Sequence, residues 1–192
     1  MRFLPWIFPL AAAICLAQNP LVVENGWVRV VSAANKPGQL SRPHVHLINR
    51  VMIHLDPGTM RIDNKETGVA RNIPFRAGEV RWDPRVGLHT SENTGGTPIH
   101  IIEIELKDNP PREGKAVEKL PAPPAGYKLD LENGQVRILR ATLQAGEKTP
   151  AFATPIVAVR LSDGDTQFRA AQGAGVANET NQSGDWVIVE LK

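Results

Sequence analysis

Apolar and polar residues alternate over short runs along most of the chain, and Gly, Pro and Asn close the runs. This period of two predicts strands at 27–32, 44–46, 51–55, 59–62, 79–83 and 99–106. Asp56-Pro57-Gly58 and Thr94-Gly95-Gly96 supply turns. In the last run His100, Ile102, Ile104 and Leu106 share one parity, and Glu103 and Glu105 share the other. The expectation there is a half-buried strand with its acids facing water. No long amphipathic helix stands out, so the chain reads as all-β.

The pattern also repeats. Glu24-Asn25-Gly26 returns as Glu132-Asn133-Gly134, and Val28-Arg29-Val30 as Val136-Arg137-Ile138. Gly38 falls opposite Gly146, and Ile102–Lys107 matches Val187–Lys192. Two separate anchors in the same order argue for an internal duplication. Between them, residues 108–127 carry Pro110, Pro111, Pro121, Pro123 and Pro124. Proline donates no hydrogen bond to a ladder, so this stretch reads as a surface linker. The expected division is 1–17, 18–107, the linker 108–127, and a shorter second unit 128–192.

Residues 1–17 read differently from the rest. Arg2 gives a positive start, Phe3–Leu16 is apolar, and Cys15-Leu16-Ala17 fits a cut before Gln18. This is a signal-peptide pattern and predicts an exported protein, periplasmic or extracellular. The apolar run is short for a membrane span. A lipid anchor on Cys15 is the alternative, but Ile14 stands where a small residue would be expected. Cleavage would remove the sole cysteine, leaving His, carboxylate and water as metal ligands. The formal net charge of +2 comes without clustered Lys and Arg, which argues against a nucleic-acid partner.

His44 and His46 lie one residue apart, so on a strand their rings share a face. His89 opens a further predicted strand after the Pro/Gly turn at 84–87. Two such strands facing each other across a barrel would bring three imidazoles together. Gly38, His44 and His46, then Gly78, Pro84, His89 and Asn93, resemble in order and spacing the two motifs of the cupin superfamily. Gly87 is displaced by one position, and Gly58 lies near the first motif's closing glycine. The resemblance covers residues 22–107 well and reaches the second half only through the repeat. It implies two jelly-roll (double-stranded β-helix) barrel units, the second degenerate. It also implies one divalent metal (Fe, Mn, Ni or Zn) on His44, His46 and His89, a small-molecule ligand or substrate, and pairing as a homodimer.

The chain departs from the family at Arg50, which stands where the motif has a glutamate ligand. Three readings are open there. The metal is held by three histidines and water, beside a cation that repels it. Arg50 replaces the metal's charge and binds an anionic ligand. Or Arg50 turns outward into a surface pair. Trp82 precedes His89 and is a candidate wall of a ligand pocket. His54 and His100 read as packed or hydrogen-bonded residues, and Glu92 as part of the turn. Opposite His44 and His46 the second half has residues 151–154, and opposite His89 roughly Ala177, so it retains no cluster. Function is bounded as a metal-dependent enzyme on a small molecule, a non-catalytic binding barrel, or a structural barrel with a vestigial site.

Overall fold

The computed structural model describes residues 19–111 and 119–192. The expected signal segment lies outside the described residues, as do residues 112–118 of the linker. The described chain forms fourteen strands in three antiparallel sheets and no helix, so none is long and apolar enough to cross a membrane.

One sheet runs β1 (Leu21–Glu24), β2 (Val28–Asn35), β9 (Ile99–Leu106), β4 (Arg50–His54), β7 (Val80–Asp83). A four-stranded sheet, β3 (His44–His46), β8 (Val86–Asn93), β5 (Gly58–Asn64), β6 (Ala70–Phe75), completes the first barrel. The third sheet runs β10 (Lys128–Glu132), β11 (Val136–Leu143), β14 (Gly184–Leu191), β12 (Ile156–Arg160), β13 (Thr166–Arg169). Strands β1, β6 and the opening of β8 were not expected from the alternation. Leu21 and Val22 are exposed, and most of β6 is solvent-facing, so these strands carry little of the two-period signal.

The third sheet repeats the first strand for strand, and side-chain contacts repeat with it. Asn25 Oδ1 accepts from the amides of Trp27 and Val28, as Asn133 Oδ1 does from Gln135 and Val136. Lys107 pairs with Glu24 as Lys192 does with Glu132, and Arg29–Glu105 returns as Arg137–Glu190. Gly38 and Gly146 both take positive φ, near 69° and 72°. The Asn93 side chain donates to two carbonyls and the Asn178 side chain to three, each amide fully buried.

The two five-stranded sheets are packed through one core. Val28, Val30, Val51, Ile53, Ile102, Ile104 and Leu106 meet Val136, Ile138, Val157, Val159, Val187, Val189 and Leu191. Fully burying such a side chain is worth roughly 1.5–3 kcal/mol, against about 0–1 kcal/mol for an exposed ion pair, so this core dominates the association of the halves. It also corrects the reading of β9. The face bearing Ile102, Ile104 and Leu106 is covered by the second half, Glu103 lines the inside of the first barrel rather than facing water, and Glu105 on the same face pairs with Arg29 at 2.9 Å.

The second half departs after β12. Where the first half inserts the β5–β6 hairpin, the second has only a turn at 161–165. Its equivalent of the β3–β8 pairing is reduced to a bridge between Lys148 and Ala177, matching Leu40 and Glu92. Ala177 is therefore the counterpart of Glu92, and Ala174, three residues earlier, is that of His89. The space is filled by Leu139, Phe152, Ile156, Val176, Trp186 and Ile188.

Candidate metal centre

His44 and His46 are on the edge strand β3, and His89 lies within β8, its direct neighbour. The two strands are adjacent in one sheet rather than opposed across the barrel. His44 pairs in register with His89, and a bulge between His44 and His46 follows. The result is a triangle of rings with centroids 4.3 Å (44–89), 4.9 Å (44–46) and 5.2 Å (46–89) apart. One ligand nitrogen from each ring lies within 4.8 Å of the others, so the three could hold a metal ion.

Hydrogen bonds fix which nitrogens are free. His44 Nδ1 is 2.8 Å from the carbonyl of Arg42, and His89 Nδ1 is 2.8 Å from that of Gly87. A carbonyl only accepts, so each Nδ1 carries its proton and each neutral ring keeps its lone pair on Nε2. A backbone carbonyl on the far nitrogen is how metal-binding histidines are commonly oriented. His46 differs. Arg50 Nη1 lies 2.7 Å from its Nε2, and a guanidinium only donates, so this lone pair is already engaged. Burial first, then the Arg50 charge and the neighbouring histidines, holds His46 down to about 3. Burial likewise lowers His89. Protons therefore compete weakly for His46 and His89 near neutrality, and a set of three imidazole ligands suits a divalent transition metal.

Arg50 starts β4 on the opposing sheet and reaches inward, so the outward surface pair is excluded. Its side chain is only 7% exposed and lies 3.2 Å from Glu103 and 3.5 Å from Asp83. Burial raises the Glu103 pKa, with Arg50 opposing that shift. Glu103 and Asp83 were not singled out from the sequence. The parity of Glu103 was visible, but the covering of the other face by the repeat was the missing step.

The cluster stands at one end of a cavity of about 200 Å³. That end is polar, with the three histidines, Arg50, Asp83 and Glu103; Arg81 lies farther along β7, beside Met52 and bonded to Glu79 and the Pro74 carbonyl. The other end is lined by Met52, Met60, Ile62, Ile73, Phe75 and Ile101. His54 also lines it, stacked on Phe75 at 4.1 Å with Nδ1 on the Glu79 carbonyl. Trp82, expected to wall the pocket, packs instead on the core between the sheets, because it pairs with Val51 on the opposite face of β4–β7. His100 is exposed and contacts Asp56 at 2.7 Å. Glu92 sits in the ladder beside Arg61, and the turn that follows is held by Asn93, whose Oδ1 accepts from Gly95.

No family model matches the chain, and no curated protein matches it in sequence. Solved structures are similar to it in fold. YhaK from Escherichia coli aligns over 90% of this chain and 90% of its own, at 16% identity and a TM-score of 0.56. AerE from Microcystis aeruginosa aligns over 91% and 97%, at 12% identity and a TM-score of 0.50. A cupin domain from Bordetella pertussis Tohama I aligns over 47% of this chain and 92% of its own, at 21% identity and a TM-score of 0.44. With its all-β sheet order and the two histidine motifs on adjacent strands of one barrel, the chain has the cupin (double-stranded β-helix) fold.

Proposed function

We infer that this chain binds one divalent metal ion on His44, His46 and His89 and presents it to a small molecule held in the first barrel. The observation that carries the reading is the convergence of three imidazoles, two of them pinned by backbone carbonyls with Nε2 directed to a common space. A metal so held would supply Lewis-acid polarisation or a site for redox chemistry. The chain's own contribution is a cavity polar at the histidine end and apolar at the other. Its volume of about 200 Å³ is below the roughly 300–1,000 Å³ of drug-sized sites, which favours a small occupant with a polar head and an apolar body. Glu103, buried beside Arg50, is placed to take or give a proton at that polar head.

Cobalt substitution tests the reading. Metal-stripped protein titrated with Co2+ should develop visible d–d absorption that small carboxylic acids or phenols perturb. His89→Ala should abolish the band. An unchanged band in His89→Ala would mean that the metal sits elsewhere.

The non-catalytic alternative keeps the same cavity and differs only in turnover. Arg50 favours an anionic head in that case, but Glu103 and Asp83 already offset its charge. Export is proposed from the Arg2 start, the apolar run and the Cys15-Leu16-Ala17 site. N-terminal sequencing of protein from its native host should begin at Gln18; retained Met1 or a lipid on Cys15 would contradict it.

A further inference from the structure

Arg50 is the residue that a plain three-histidine site leaves unexplained. It is buried on the sheet opposite β3, yet its Nη1 takes up the lone pair of His46 Nε2. The same guanidinium bonds Glu103 at 3.2 Å, while Asp83 lies farther away at 3.5 Å. Its Nε has no hydrogen-bond partner. A buried cation with one unused donor, one neutral acceptor and two carboxylates at 3.2 and 3.5 Å is incompletely satisfied where it stands. In the second half, register places Ile156 at this position, since Ile156 pairs with Glu190 as Arg50 does with Glu105. The arginine thus occurs in the half that has the histidines and is replaced by an apolar residue in the half that lacks them.

We propose that Arg50 is a built-in competitor for the third ligand position and thereby sets the metal affinity of the site. In the metal-free protein it caps His46. When a metal binds, His46 Nε2 leaves Arg50 for the ion, and the guanidinium turns fully onto Glu103 and Asp83. The two carboxylates then favour metal binding without touching the metal, by receiving the displaced cation. The proposal rests on the metal reading above, and its test separates the two.

Zinc chloride is titrated calorimetrically into metal-stripped, tag-free protein: wild type, Arg50→Met, Glu103→Gln, Arg50→Met/Glu103→Gln and His89→Ala. Arg50→Met should bind zinc roughly ten- to a hundredfold more tightly, the worth of one hydrogen bond to a charged group. Glu103→Gln alone should weaken binding, and in the Arg50→Met background it should do nothing, because its effect passes through Arg50. The double variant removes both buried charges and carries the test if Arg50→Met does not fold. Histidine 15N spectra of wild type should show His46 with its proton on Nδ1 before zinc and with Arg50 released after it. Equal or weaker zinc affinity in both Arg50 variants, with binding lost in His89→Ala, would overturn the competitor and leave the metal site standing. Wild-type affinity in His89→Ala would overturn the metal site itself.

Discussion

At the scale of single residues, the inner face of the first barrel holds ionisable groups kept from their ordinary charge states. His46 is held near 3, and His54 is lowered, chiefly by burial. Both accept protons more readily in the unfolded chain, where histidine titrates near 6.5. As pH falls below about 6.5 the unfolded state binds more protons, so these groups lower stability progressively on the way down. Burial lowers His89 in the same sense, so Glu103, whose raised pKa lets the folded state hold a proton, pulls the other way as one group against three. Denaturant midpoints of metal-free protein should therefore fall between about pH 7 and about pH 5, and His54→Gln should flatten the slope. A flat profile in the parent would contradict the account. Asn93 makes a separate case. Its buried amide ties the end of β8 to Asn35 and Thr97, so Asn93→Ala should cost about 2–4 kcal/mol by leaving two carbonyls unpaired, read by urea unfolding.

At the scale of elements, the histidine site depends on a strand pair and a hairpin that the second half has lost. The spacing of His44, His46 and His89 was legible because strand parity and motif order are local. Their placement on adjacent strands was not, because pairing partners are set by the whole barrel. The inward turn of Glu103 was hidden for a related reason. Alternation says that two faces differ, and only the matching apolar face of the repeat says which is covered. A clue was present: Val28, Val30, Ile102 and Ile104 have apolar counterparts at Val136, Ile138, Val187 and Val189. The β5–β6 hairpin lines the cavity through Met60, Ile62, Ile73 and Phe75, and at its first residue, Gly58, an added Cβ would meet Ile99 at 2.5 Å and Phe75 at 3.1 Å. Gly58→Ala should cost about 1–3 kcal/mol through overpacking and weaken small-molecule binding, measured by thermal melts and ligand titration. A variant as stable as the parent would show that the hairpin has slack.

At the scale of the molecule, the second half has the five-stranded sheet of the first without its histidine cluster. The third sheet covers the apolar back of the first, and Arg140 and Gln135 reach across to the Gly78 carbonyl and the Asn49 side chain. The halves should unfold together. Ile138→Ala, made in the half without histidines, should lower stability by roughly 2–5 kcal/mol and move the melting of both halves in one transition. Two separated transitions in calorimetry would show that each half stands alone. The strand-for-strand likeness of the two five-stranded sheets follows the sequence anchors, but the second half has no counterpart of the β5–β6 hairpin, so the register shifts and Ala174 rather than Ala177 corresponds to His89.

The central claim is that one half of this doubled fold carries a metal on His44, His46 and His89. Elemental analysis of the protein purified without a tag from its native host tests it most directly. The account predicts close to one divalent transition metal per chain, falling to none in His89→Ala. A metal-free parent, or an equivalent that persists in His89→Ala, would contradict it.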